Sequence, residues 1–566
     1  MQLKLNLIDS LDRVKAATIN QYGLSDMAEW IQKHLRLQGR PISFDGREYQ
    51  KRILESTAPT VVVKKCSQVG LSELMLMRNL ALMIILDGFK IIHTLPTAVF
   101  AQKVMKTRVD PLIQGSDLLS SRLNRDLDNA SVKNFGNSFL YLSGTNTDNA
   151  VISVPADAIS VDELDFSDLA QVEKLQSRLT ASAYRWWSFV STPTVPLFGI
   201  DNQFQASKRH YNFCKCVHCN KWFYPSYLEH LKIPGYTGDL LKITKQDLGT
   251  LRWREAEYLC PYCNKPVDLS IEHRDWVVEN PLDKFESDGF QVSPTDAPKI
   301  ISGSDLVLWS TRFSRKVNFV NYHLGLVQED EDSGLNNQDL ELMTNVGRHS
   351  LHGFKVFGLD IGTVCHLTVG VTNGQGKLTV IDLIPIHYTQ LEEELQRLIR
   401  IYRPVTIVSD SQPYVETIHR LQQKIHNLYG SVYITSKNLA PFTVIDKAED
   451  TQKTILPVRQ VNVNRNFSLN ALMSDIRAGN IGIKEGLSEY GTFCNHLKDM
   501  KRAASSAAIF TGDANTEADS YAWVKTTGND HYHHSLLYTH VASQMVHHLP
   551  QSGGGLPVFL STFRLK

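Results

Sequence analysis

The segment TVVVKKCSQVGLSELMLM constrains this chain more than any other. A β-branched run, Thr60–Lys65, ends in two lysines, crosses a short loop and enters an apolar stretch that reaches Leu86. A strand feeding a loop and then a buried helix is the opening unit of a parallel α/β sheet, because parallel strands need a crossover helix between them. The same rhythm continues through KIIHTLP, NSFLYLS, DAISVDE and WWSFVST to about residue 205. At roughly 100–200 residues per domain, a chain of this length implies about three or four domains. The Leu71–Leu86 stretch is broken by Glu73 and Arg78 and falls short of the ~20 apolar residues of a spanning helix. Asp9 and Asp12 interrupt the N-terminus before a signal-peptide core can form. The expectation is a soluble, cytosolic chain with no membrane partner. Its 59 basic side chains balance 59 acidic ones, so any contact with DNA must be transient or come from local basic clusters, since phosphate neutralisation dominates duplex affinity.

Residues 1–45 read as a polar helical segment, 46–210 as the first α/β unit and 211–270 as a cysteine-rich insert. Residues 271–349 read as a connector that includes EDEDSGLNNQD, 350–548 as a second α/β unit, and 549–566 as a tail. In the second unit FKVFGLDIG, HLTVGVTNG and KLTVIDLIPI read as three strands, with Asn373-Gly374 as a hairpin signal. A helix with Leu391, Leu395 and Leu398 on one face follows, and then PVTIVSD as a further strand.

The loop KCSQVGLS sits where a phosphate-binding loop belongs, between a buried strand and a helix N-terminus. The usual pattern is G-x-x-x-x-G-K-[ST]. Here Lys65 takes the first glycine slot, Gly70 the second, Leu71 the lysine slot and Ser72 the slot of the metal-binding hydroxyl. A lysine at the start of the loop reaches the same phosphates, so the charge is kept while its origin moves. Further on, the strand DAISV ends in Asp162 and Glu163. The first carboxylate suits Mg²⁺ and the second suits activation of an attacking water. Together they point to ATP hydrolysis. Tyr49 and Gln50, just upstream, are candidates for reading the adenine, and Ser191 and Thr192, ending a later strand before Pro193, for sensing the γ-phosphate.

In this motif order the chain resembles the large terminase subunits of tailed phages, of the lambda-like kind. The resemblance rests on Lys65, Gly70 and Ser72, on Asp162 and Glu163, on Ser191 to Pro193, and on FVNYHLGL at 319–326. It implies an N-terminal P-loop ATPase at 46–210, a zinc-ribbon insert at 211–270 and a C-terminal RNase H-like nuclease at 350–548. It further implies duplex DNA, a small terminase subunit and a portal or procapsid as partners, a homo-oligomeric ring during packaging, and a place in the host cytoplasm. One departure stands out. Relatives carry an arginine inside the phosphate loop where this chain has Ser67 and Gln68, so the arginine must come from elsewhere or from a neighbouring subunit.

Cys216 and Cys219, with Cys260 and Cys263, form two C-x-x-C pairs. Each pair puts two thiolates on one tight turn, and two turns complete a tetrahedral Zn²⁺ site with no open position. Cys214 and His218 are alternative ligands. The zinc reads as structural.

Asp360 ends FKVFGLD and Asp410 ends PVTIVSD, a spacing that resembles the RNase H-like nucleases, in which acids from adjacent strands and a late helix converge on Mg²⁺ or Mn²⁺. Relatives begin the last helix with D-H-x-x-D-A. Here the match is Asp530-His531-Tyr532-His533-His534-Ser535, so Asp530 is the expected third acid, with Asp519, Asp513 and His534 as reserves. The function this implies is a DNA-packaging motor that also cuts DNA. Two rivals remain at this stage: an RNase H-like recombinase or repair nuclease with a regulatory ATPase half, and a docking component without chemistry.

Overall fold

The computed structural model describes residues 26–146, 154–281, 286–313, 315–328, 333–346, 352–373, 376–434, 440–445, 459–504 and 521–546. The chain forms two compact units, one running to Glu329 and one from Asp330 onward. Among the described residues no helix is long and apolar enough to cross a membrane.

The first unit is built on a ten-stranded sheet. Its strands are β1 (Thr60–Lys65), β2 (Lys90–Leu95), β3 (Val132–Phe135), β4 (Ser138–Gly144), β5 (Ala158–Asp162), β6 (Trp186–Ser191), β7 (Lys208–Lys215), β8 (Trp222–Phe223), β9 (Arg274–Val278) and β10 (Ser287–Val292). The spatial order is β8-β7-β10-β1-β6-β5-β2-β4-β3, with β9 also paired to β7. The inner run from β10 to β4 is parallel, so the carboxyl ends of β1, β5 and β6 share one edge. That edge is where open α/β sheets place their ligands. All five short apolar runs of this half are strands. Helix α1 (Leu71–Ile85) follows β1 and is buried on nearly every side, including Leu74, Leu76, Leu80 and Leu82. A helix apolar all round belongs inside a core, and its one internal cation, Arg78, donates to the Ser188 hydroxyl at 3.1 Å.

Three expected boundaries change. Residues 27–34 are helical, but Arg36–Leu37 and Arg40–Pro41 pair as a small hairpin across Gln38 and Gly39, both at positive φ. The helical reading of 1–45 fails there because that turn needs left-handed residues, and residues 1–25 lie outside those described. The first sheet does not stop at 210. β7, β9 and β10 extend it, and β10 pairs in parallel with β1 along its whole length. The cysteine-rich insert is therefore a loop set between two strands of the same sheet. The connector expected at 271–349 has no separate existence either, since its strands join that sheet and its helix Asn337–Val346 falls in the second unit. A mixed apolar and polar stretch reads as a linker in sequence only because its strand partners are far away in the chain.

The second unit holds an eight-stranded sheet. A meander of β11 (Phe354–Asp360), β12 (Val364–Thr372) and β13 (Leu378–His387) pairs antiparallel. Strand β14 (Thr406–Asp410) then lies parallel to β11, after helix α2 (Leu391–Tyr402) has buried Leu391, Leu395 and Leu398 as its periodicity requires. Helix α3 (His531–Val546) crosses β11 closely. A Cβ at Gly358 would lie 2.0 Å from the Ser535 carbonyl oxygen, so glycine is what lets strand and helix touch. The tail at 549–566 and the acids Asp513 and Asp519 lie outside the described residues.

Candidate functional site

The two lysines ending β1 have opposite fates because alternate strand residues face opposite sides. Lys64 is locked in the interior, 2.9 Å from Asp201 and over the Phe204 ring. Lys65 turns toward the loop and pairs with Glu163 Oε1 at 3.0 Å. Ser72, in the first turn of α1, donates to Asp162 Oδ1 at 3.0 Å. The four residues expected to meet at this edge do meet. Burial pulls the Lys65 ammonium toward neutrality, but Glu163 and Asp162 more than offset this and leave its pKa raised. Burial also pushes the Asp162 carboxyl up, against Lys65 and Ser72.

The loop is held by backbone geometry. Gly70, at φ 74, caps α1 in the left-handed region that favours glycine. Cys66 N–H donates to Val292 and Ser67 N–H to Tyr322 carbonyl. The FVNYHLGL phrase at 319–326 thus packs on the loop, and a Cβ at Gly325 would come within 2.6 Å of the Cys66 nitrogen. Tyr49 is buried, and its hydroxyl donates to the Val69 carbonyl at 2.6 Å, as does the Gln50 amide at 2.9 Å. Tyr49 therefore braces the loop from below and is absent from the lining of the adjacent cavity, whereas Gln50 lines it. This differs from the adenine-reading role expected of Tyr49. The cavity has a volume of about 1020 Å³ and is lined by Lys65, Ser67, Gly70, Ser72, Glu163 and Arg108, among others.

Arg108 is a residue the sequence reading missed. It sits in a π-helical turn, Met105–Val109, a distortion often found at functional sites. Its Nε lies 3.9 Å from Glu73 Oε2, with the side chain 40% exposed. Its guanidinium is close enough to pull the Asp162 carboxyl down. Nothing in the one-dimensional pattern marks it, since the cavity wall it occupies is assembled from distant segments.

Ser191 and Thr192 are buried and do not face the cavity. They belong to a network centred on Asp165, three residues beyond Asp162. Asp165 N–H donates to the Ser191 hydroxyl at 3.2 Å. Asp165 Oδ2 accepts from the Thr194 amide at 2.8 Å and its hydroxyl at 2.7 Å, and Oδ1 accepts from the Ile200 amide at 2.7 Å. Burial raises the Asp165 pKa to about 7 although these donors favour the anion. Asn321, from the FVNYHLGL phrase, donates to the Thr194 carbonyl at 2.7 Å. The strand-end acids, the Ser-Thr-Pro segment and the phosphate loop thus share one hydrogen-bonded frame.

The four cysteines Cys216, Cys219, Cys260 and Cys263 converge, with their sulfurs all within 4.8 Å of one another. The Cys216–Cys263 and Cys219–Cys260 sulfur separations are both 3.7 Å. A tetrahedron with Zn–S bonds of about 2.3 Å has edges of about 3.8 Å, so the donor set fits Zn²⁺. Cys214 instead donates to the Asp268 carbonyl at 3.3 Å and, like His218, stands outside the group.

In the second unit Asp360 and Asp410 end adjacent parallel strands, and burial together with Asp360 raises Asp410 to about 7. A divalent cation bound beside Asp410 would relieve both that burial and the repulsion from Asp360. The third acid differs from expectation. Asp530 precedes α3 and accepts from His534 Nε2 at 3.0 Å, an interaction that holds its pKa well below the usual range despite burial. The other nitrogen of His534 accepts from the Tyr433 hydroxyl at 2.6 Å. Both nitrogens of His534 are committed, and Asp530 orients it. Among the described residues the group with mutually close ligand atoms that contains Asp360 joins it to His366 and His531. His366 was missed because it lies mid-sequence in β12, opposite Asp360 only through strand register.

Residues 46–280 match the family described as the ATPase domain of the phage terminase large subunit gpA. No curated protein matches the chain. Among solved structures, the large terminase of bacteriophage HK97 is similar at 10% identity and TM-score 0.48, covering 92% of this chain and 99% of that one. The ATPase domain of a Thermus phage large terminase aligns at 12% identity over 51% of this chain and 98% of its own, with TM-score 0.29. The nuclease domain of the large terminase subunit gp2 of bacterial virus Sf6 aligns at 9% identity over 38% of this chain and 98% of its own, with TM-score 0.26.

Proposed function

We propose that this chain, whose residues 46–280 match the ATPase-domain family of the phage terminase large subunit gpA, is a DNA-packaging motor that hydrolyses ATP to move duplex DNA and cuts that DNA with a metal-dependent nuclease unit. The observation that carries the reading is the convergence of Lys65 with Glu163 and of Ser72 with Asp162 at one sheet edge.

The Lys65–Glu163 pair works as a switch. With the site free, each neutralises the other. An incoming γ-phosphate competes for the ammonium and releases the carboxylate, which then accepts a proton from the attacking water. Glu163 sits at φ 55, a strained backbone that keeps its carboxylate turned to the lysine. Mg²⁺ held by Ser72 and Asp162 would supply charge neutralisation at the β- and γ-phosphates. Arg108 leaves its long contact with Glu73 to meet the same phosphates, which supplies within this chain the arginine its loop lacks. The Asp165 frame passes the change at Glu163 to Ser191–Thr194 and to Asn321.

In the second unit Asp360 and Asp410 would hold divalent cations, which would supply charge stabilisation at the attacked phosphodiester and its leaving oxygen. Partners in this reading are a small terminase subunit, a portal or procapsid and further copies of this chain in a ring, acting in the cytoplasm of an infected bacterium. Nucleotide hydrolysis measured with and without long duplex DNA tests the motor. Plasmid cleavage by Asp360→Asn beside the parent chain tests the nuclease. Hydrolysis that ignores DNA, or equal cleavage by both proteins, contradicts the respective half.

A further inference from the structure

We propose that Asp360, His366 and His531 form a two-histidine, one-carboxylate site that binds a transition-metal dication such as Mn²⁺ in preference to Mg²⁺. The inference rests on the nuclease reading of the second unit and names the metal chemistry of its site.

Three segments build it. Asp360 ends β11, and His366 lies directly opposite on β12 in the antiparallel register, so both side chains emerge on the same face. His531 opens α3, and its Nδ1 lies 2.9 Å from Asp360 Oδ2. One ligand atom from each residue falls within 4.8 Å of the other two. The imidazoles of His366 and His531 are stacked, with centroids 4.9 Å apart and planes 1° from parallel, so a shared ion requires one ring to turn about its Cβ–Cγ bond until both in-plane lone pairs converge. An octahedral ion with bonds of about 2.1 Å spaces neighbouring ligands by about 3.0 Å, close to the separation between Asp360 and His531. If His531 takes its Nε2–H tautomer, the Nδ1 lone pair is free and a cation can bridge the two atoms that now share a proton.

A second observation points to a missing partner. His366 is only 8% exposed, and its Nδ1 is buried with no hydrogen-bond partner. A buried polar nitrogen left alone is costly. A neighbouring histidine shows what a satisfied one looks like. His496 packs edge-on to both rings, at 5.4 and 5.8 Å, while its Nδ1 accepts from the Tyr532 amide at 3.2 Å. His496 and Tyr532, whose ring centroid is 4.6 Å from that of His366, orient the ligands from outside, as outer partners of metal sites do.

The donor set decides the metal. Imidazole suits Fe, Ni, Cu and Zn, and the softer Mn²⁺ accepts it more readily than Mg²⁺, which takes oxygen ligands and keeps its waters. Two neutral imidazoles also leave the ion more net charge than a purely acidic set, and that charge faces the phosphodiester.

The test is an Mn²⁺ titration of zinc-replete, nucleotide-free full-length protein, followed by pulsed EPR for nitrogen coupling. The phosphate-loop site offers only oxygen ligands and the cysteine site is filled, so nitrogen coupling reports on these histidines. The expected result is a bound Mn²⁺ coupled to two imidazole nitrogens. His531→Gln, at a side chain 40% exposed, should lose one coupling and weaken Mn²⁺ binding about tenfold or more, with Mg²⁺ binding changed far less. His366→Gln should lose the other, with zinc content and ATP hydrolysis as checks that the protein is folded. Bound Mn²⁺ without nitrogen coupling, no bound Mn²⁺, or an unchanged His531→Gln spectrum would each overturn the proposal. Two imidazole couplings in a protein that leaves DNA intact would refute the nuclease reading alone. DNA cutting with an oxygen-only Mn²⁺ would refute the metal site alone.

Discussion

Lys65 shows how much a single residue can reveal and hide. Its place at the end of a β-branched run, before a glycine and a serine, was readable, because phosphate chemistry needs a cation where a strand meets a helix. Its partner was readable only as a candidate, since the pairing with Glu163 spans 98 residues. Glu163→Gln should keep nucleotide binding and lower turnover by about 10²–10⁴-fold, as loss of a general base does; binding and steady-state rates measured together check this. Arg108→Ala should lower kcat toward the ~10³-fold or greater loss typical of a missing arginine at a transferring phosphate, with little change in KM. An unchanged kcat would place that arginine on another subunit. Asp165 makes the pH prediction. Its folded pKa of about 7 lies above its ordinary value of 3.8, so the folded state holds the proton more tightly. The stability this confers is complete below about pH 4 and is lost as pH rises through 7. Asp165→Asn should flatten that slope in denaturant titrations across the window. It should also cost roughly 1–3 kcal/mol, because an amide NH₂ then faces an N–H donor from Thr194 or Ile200.

At the scale of elements, periodicity exposed five strands of the first sheet, four of the second and the apolar face of α2. It failed where a segment's partner lies far off in sequence. β10 reads as connector and β7 as the start of an insert, yet they complete the sheet beside β1. His366 escaped for a different reason: it is only six residues from Asp360, but register across a hairpin, and not a motif along the chain, sets it opposite that carboxylate. The zinc loop is legible because each C-x-x-C is a local unit. Cys216→Ser should remove the metal, whose structural binding is on the order of 10 kcal/mol in small domains. The expected readout is loss of zinc from the purified protein and new protease cutting between Cys216 and Cys263. Gly358→Ala tests the contact between β11 and α3. The added methyl would meet the Ser535 carbonyl and the Thr539 amide at 2.0 and 2.3 Å. It should cost about 1–3 kcal/mol or more, seen as a fall in Tm, and it should weaken metal binding by shifting His531.

For the whole molecule, each unit carries its own core and its own chemistry. A balanced charge of 59 against 59 suits a protein that lets a duplex slide, because a large phosphate-neutralising surface would hold it in place. The central claim is that one chain joins nucleotide breakdown at Lys65 and Glu163 to DNA handling, and cuts at Asp360 and Asp410. The most direct measurement follows ATP hydrolysis and plasmid cleavage in the same tube for the parent chain, Lys65→Ala and Asp360→Asn. The account predicts hydrolysis that rises with duplex DNA in the parent and in Asp360→Asn, disappears in Lys65→Ala, and cleavage that Asp360→Asn alone abolishes. Undiminished hydrolysis in Lys65→Ala, or undiminished cutting in Asp360→Asn, would contradict it.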